Sequence, residues 1–154
     1  MSVDTVTANA AAQVAGAIKQ AARTTGASFE YLLATAQIES SLNPLAQAAT
    51  SSAKGLYQFI DQTWLGTMKR AGPALGLGQY ADAIVQGADG QYSVPDAAMR
   101  STIMKLRNDP ATSALMAGAF ASSNAAQLAS TLGRAPSEAP FAFMVASQVW
   151  SMNW

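Results

Sequence analysis

The feature that most constrains this chain is the spacing of its apolar residues. They recur three and four positions apart, and nowhere do they alternate with polar residues over a useful length. That period belongs to helices with one buried face, and it leaves no pattern from which to build a sheet. Val6 to Thr24 is dense in alanine, with Val14, Ile18 and Ala21 or Ala22 at helical spacing, so residues 1–26 read as an N-terminal helix that stops at Gly26. Ser28 is placed to cap a second helix carrying Phe29, Leu32, Leu33, Ala36 and Ile38. Pro44 bars its continuation, so it ends between Ser40 and Asn43.

Asn43 to Gly55 is small and polar and reads as a loop. Asp61 reads as the cap of a third helix with Trp64, Leu65 and Met68. Ala71 to Pro95 holds five glycines and two prolines, a long turn-rich segment with room for a short helix at Ala81 to Gln86. Asp96 caps a helix through about Arg107. Asp109-Pro110 opens a long one, with Leu115, Met116, Ala119, Phe120 and Leu128, that ends at Gly133. Pro136 to Trp150 reads as a last helix. With no repeat and no linker, residues 1–154 form one all-α domain.

Composition removes whole classes of chemistry. The chain has no cysteine and no histidine, so disulfides, thiolate metal sites, Ser-His-Asp and Cys-His catalysis and histidine-zinc sites are excluded by inventory. Catalysis must use carboxylates, lysine, tyrosine or backbone groups. No metal and no cofactor is expected. Nine basic and nine acidic residues give zero net charge without a like-charged block, which argues against nucleic acid and against a polybasic membrane anchor. No stretch reaches the ~18–20 apolar residues of a membrane span, and Met1 to Gly26 does not read as a secretory signal.

Among the carboxylates, Glu39 stands apart. Glu30 and Glu138, the other two glutamates, sit in first turns of helices, where the helix dipole favours a negative charge. Glu39 sits near the end of its helix, where the dipole disfavours one. Its neighbours Thr35 and Ala36 are small, and Ile38 and Leu42 are apolar. Both circumstances favour the protonated acid.

Glu39 also opens a motif. Ala36-Gln37-Ile38-Glu39-Ser40-Ser41-Leu42-Asn43-Pro44 is followed, after a loop of small residues, by Ala53-Lys54-Gly55-Leu56-Tyr57-Gln58-Phe59. The pair resembles the catalytic core of the soluble lytic transglycosylases, which share a lysozyme-like fold. In that family Glu-Ser ends an apolar helix ahead of Asn-Pro, and a Gly-Leu-x-Gln segment follows; Tyr57 stands where methionine is more usual. Asp109 to Leu132 more weakly resembles the family's Asp-Pro helix.

The resemblance implies a function. Glu39 would protonate the bond between N-acetylmuramic acid and N-acetylglucosamine in peptidoglycan and then act as base, leaving 1,6-anhydromuramoyl ends. Ser40 would bond near the acid or the sugar. Gly55 would permit the turn into the second motif, and Gln58 would contact the acid or an N-acetyl group. Tyr57 and Phe59 flank that amide, although Phe59 and Trp64 suit a core better than a sugar platform. Tyr80 and Tyr92 could line the glycan groove or pack the loop. The family's third motif, aromatic and on the last helix, has no clear counterpart in Phe141 to Trp150, and no tyrosine follows Tyr92. A weakly active or inactive peptidoglycan-binding protein on the same fold and a hydrolytic muramidase are therefore the alternatives. The implied place is the periplasm or cell envelope, and the implied partners are glycan strands and a flagellar or secretion-system component through which a signal-less enzyme could leave.

Overall fold

The computed structural model describes residues 3–132, with side chains over 8–126. Among the described residues six α-helices follow one another: α1 (Val3–Thr25), α2 (Phe29–Ser40), α3 (Asp61–Ala71), α4 (Gly78–Ala83), α5 (Ala97–Lys105) and α6 (Pro110–Leu132). Two-residue strands β1 (Val85–Gln86) and β2 (Tyr92–Ser93) pair antiparallel between α4 and α5, with Val85 opposite Ser93. The all-α expectation holds. The expected last helix at 136–150 lies outside the described residues.

The helix starts follow from side-chain capping. Ser28 Oγ accepts from the Tyr31 amide, an Asp96 carboxylate oxygen from the Met99 amide, and an Asp109 oxygen from the Thr112 amide. Each satisfies a backbone donor that the first turn leaves unpaired. Asp61 does not follow this pattern. Ile60 occupies the cap position without a side-chain bond, and Asp61 is the first helical residue. Its carboxylate instead faces Arg107, 2.9 Å away, and Arg100, 3.8 Å away. The expected cap is thus an ion-pair partner of residues far along the chain.

The turn-rich segment is more ordered than a loop. A 3₁₀ turn (Gly72–Leu75) leads into α4, and the strands close a hairpin. The short helix lies at 78–83, ahead of the expected Ala81 to Gln86, because Ile84 turns extended to bury its side chain and start β1. The helix expected to run through Arg107 gives way to a 3₁₀ turn at Leu106–Asn108.

The core gathers one face of each long helix. Val14, Ile18 and Ala21 of α1 pack with Leu32 and Ala36 of α2, Trp64, Leu65 and Met68 of α3, and Met116, Ala117 and Phe120 of α6. Fully burying a side chain of this size stabilises the fold by roughly 1.5–3 kcal/mol. Trp64 loses no hydrogen bond on burial, since its Nε1 donates to the Ile103 carbonyl at 2.9 Å. The long helices α1 and α6 lie against each other, and Gly118 marks a close approach where a Cβ would run into the Thr25 side chain. Ser122 Oγ closes that contact by donating to the Thr25 carbonyl.

Candidate active site

Glu39 lies in the last turn of α2, and that turn has no basic residue. The side chain is half-buried, and burial pushes its carboxyl above the ordinary value. The local sequence explains the position. Leu32 and Ala36 turn inward to the core, while Ile38 is left 66% exposed, so Glu39 falls on the boundary between core and solvent. Ser41 caps the helix in the left-handed region (φ 53°), its amide bonded back to Ala36 and Gln37, and Leu42 follows at φ 63°. The chain therefore leaves α2 sharply, and the Asn43 side chain steadies the exit by accepting from the Leu45 amide.

The second motif closes on this helix end. Ser40 Oγ lies 2.7 Å from the Leu56 carbonyl and 3.0 Å from the Ala36 carbonyl. One hydroxyl carries one proton, and the shorter contact ties the residue beside Glu39 to the Gly-Leu-Tyr-Gln segment. Gly55 has φ 85°, and a Cβ there would overlap the Arg107 carbonyl oxygen. Glycine is required twice over, by conformation and by space. Gln58, only 7% exposed and itself left-handed at φ 52°, donates from Nε2 to the carbonyls of Gly55 (2.9 Å) and Ala46 (3.1 Å). Both partners are acceptors, which fixes the amide orientation. The Gln58 side chain thus joins the two legs of the loop, and it makes no hydrogen bond to Glu39.

The other expected site residues divide. Tyr57 and Phe59 are 0% and 1% exposed. The Tyr57 hydroxyl donates to the Leu32 carbonyl, and the Phe59 ring packs edge-on to Trp64 and Phe120. Both are core residues here, and neither offers a face to a bound glycan. The motif spacing placed them beside Gln58 in sequence, and the turn sent their side chains inward. Tyr80 is half-buried against the core. Tyr92 sits on α3: its ring lies over Gly66, its hydroxyl accepts from Arg70 at 3.1 Å, and its backbone exchanges two bonds with the Gln62 side chain. The structure ties Ser40, the neighbour of Glu39, to the loop that carries Gly55 and Gln58, and leaves Tyr92 in a separate cluster.

Arg107 is the residue that sequence reading passed over. It is 2% exposed and sends Nη1 to the carbonyls of Ser52 (2.8 Å) and Phe59 (3.0 Å), with Nε on Met104. Burial lowers its pKa, and Asp61 opposes that loss. One signal was available. Ile103 and Arg107 are four apart and so share a helical face, which put a charged residue in line with a core position.

Among the described residues, no group of acidic side chains is arranged to hold a metal ion. A cleft of about 400 Å³ between α3 and α6 is lined by Thr67, Arg70, Phe120 and Asn124 among others. It takes no residue from α2 or from the second-motif loop.

A half-buried glutamate at the end of a core helix, tied through its neighbour Ser40 to a glutamine-bearing loop, within an all-α frame, fits a lysozyme-like fold. Residues 16–85 match the family model of the transglycosylase SLT domain. The match takes in Glu39 and the whole of the second motif and stops short of Tyr92 and Arg107. No curated protein matches the chain.

Proposed function

We propose that this chain is a peptidoglycan lytic transglycosylase with Glu39 as its catalytic acid and base. The observation that carries the reading is the position of Glu39: a glutamate kept toward its protonated form by burial, at a helix end without a cation, within a transglycosylase-family stretch. Glu39 donates its proton to the glycosidic oxygen as the bond to the muramic acid anomeric carbon breaks, and the substrate's N-acetyl group supports the oxocarbenium-like state. The carboxylate then removes the proton of the muramic acid C6 hydroxyl as that oxygen bonds to the anomeric carbon. Glu39 is regenerated as the acid, and no water enters the products.

Two further observations support this chemistry. The non-glycine residues at positive φ among the described residues are Ser41, Leu42 and Gln58, all within the two motif segments. Such conformations cost on the order of 1–3 kcal/mol each and gather at functional sites. A hydrolase of the usual kind needs a second carboxylate to handle water, and the next acid in sequence, Asp61, is engaged by Arg107 and Arg100.

The glycan partner places the protein in the cell envelope, and a flagellar or secretion apparatus is the proposed route and partner. No described helix is long and apolar enough to cross a membrane.

Cleavage of purified peptidoglycan in ¹⁸O-labelled water tests the chemistry. Transglycosylation leaves the muramic ends unlabelled, whereas one ¹⁸O per cut would show a muramidase. Glycan binding without any cut would show a non-catalytic binding protein. Activity depends on a protonated Glu39, so it falls as pH rises through the Glu39 pKa, which burial sets above the ordinary glutamate value.

A further inference from the structure

The short turn Leu106–Asn108 grips the second-motif loop at four places. Arg107 Nη1 holds the Ser52 and Phe59 carbonyls, which lie before and after Gln58. The Arg107 carbonyl packs against the Gly55 backbone, where no side chain fits. Asn108 Nδ2 donates to the Pro44 carbonyl at 3.1 Å, at the start of the same loop. The loop in turn meets α2 through Ser40 and Leu56, one residue from Glu39. Nη1 points at two carbonyls, and the Asp61 oxygen 2.9 Å from it supplies the counter-charge.

We propose that Arg107 is a positioning residue, which through the carbonyls of Ser52 and Phe59 holds the Gln58 loop against the end of α2 that carries Glu39. A guanidinium suits this post because it stays charged when buried and fixes several oxygens in one geometry. Asp61 makes the buried charge tolerable, and its own amide donates to Ser52 Oγ, so the counter-ion is joined to the same loop. Arg107 acts through the loop and does not touch the acid. The catalytic part of the proposal rests on the transglycosylase reading; the positioning part does not.

The test is a ¹³C titration of the Glu39 carboxyl in the full chain, its signal assigned by loss in Glu39→Gln. Glu30 and Tyr31 lie on the same helix, and Tyr31 feels the Glu39 charge. Wild type is compared with Arg107→Met, Arg107→Lys and Asn108→Ala. Ile18→Val, in the core of α1, serves as a stability control. Loosening the loop admits water to Glu39. Its midpoint is therefore expected to fall toward that of a solvated glutamate, furthest in Arg107→Met and less in the other two, while Ile18→Val leaves it in place. If Arg107→Met does not fold, the milder pair decides. On peptidoglycan, kcat falls about tenfold or more in Arg107→Met with KM within about threefold, because a displaced loop misplaces the reacting groups. Equal midpoints in all folded variants overturn the proposal. A wild type that titrates as expected but releases no anhydro ends overturns the proposed function and leaves the positioning role standing.

Discussion

Two irregular stretches of this molecule look alike in sequence and differ in how they are held. Residues 43–60 and residues 72–95 are both rich in small and turn-forming residues. The first is fastened from several distant elements by buried and half-buried groups: Ser40 at the end of α2, Arg107 and Asn108 from beyond α5, and Tyr57 reaching back to the Leu32 carbonyl. The second relies on local turns, such as Leu77 on Gly72 and Gly87 on Gln91, and on side chains of α3: Gln62 on Tyr92, Lys69 on Ala81, Arg70 on the Tyr92 hydroxyl. Non-glycine residues at positive φ adjoin or lie in the first stretch and are missing from the second. The stretch beside Glu39 is over-determined, and that is the condition under which strained backbone persists. The other stretch is braced, and little strain is asked of it.

The comparison can be broken by substitution. Gly55→Ala is the harshest case. The new methyl group meets the Arg107 carbonyl in a conformation hostile to any Cβ, and thermal or urea unfolding should show a loss of about 3 kcal/mol or more. A neutral result would mean that the loop is not locked. Gln62→Ala removes two hydrogen bonds to the Tyr92 backbone. Those groups can turn to water, so the cost should be about 1 kcal/mol with glycan cleavage little changed. A loss as large as that of Gly55→Ala would erase the distinction between the stretches. Ser41→Gly is the mildest. It relieves a left-handed residue at an exposed helix end and should raise stability by about 0.5–1 kcal/mol.

What the sequence could reveal of this arrangement depends on how local each cause is. Ser28, Asp96 and Asp109 announce their helices because a cap bonds an amide three residues away. Asp61 carries the same signature, yet an arginine 46 positions on takes its carboxylate. No local rule sees that partner. The hairpin strands have two residues each, too few for alternation to register, and only Asp89-Gly90 hints at the turn. Glu39 and Gln58 were legible as a motif. The burial of Tyr57 and Phe59 was not, because it follows from which way the loop turns after Gly55, and Arg107 sets that from elsewhere in the chain.

The central claim is that Glu39 does the chemistry, and Glu39→Gln addresses it with the least disturbance. Gln is nearly isosteric and cannot ionise. The raised pKa of Glu39 means that the folded state holds this proton more tightly than the unfolded chain does. The resulting stabilisation is present below the unfolded-state pKa and is lost as pH rises through the folded-state value. At neutral pH the variant should therefore melt no lower than wild type. The decisive measurement is the mass of the muropeptides released from purified peptidoglycan by the two proteins. Wild type is expected to release 1,6-anhydromuramoyl ends, and Glu39→Gln to release at least about 10²-fold fewer while remaining folded. Anhydro products undiminished in the variant would contradict the account.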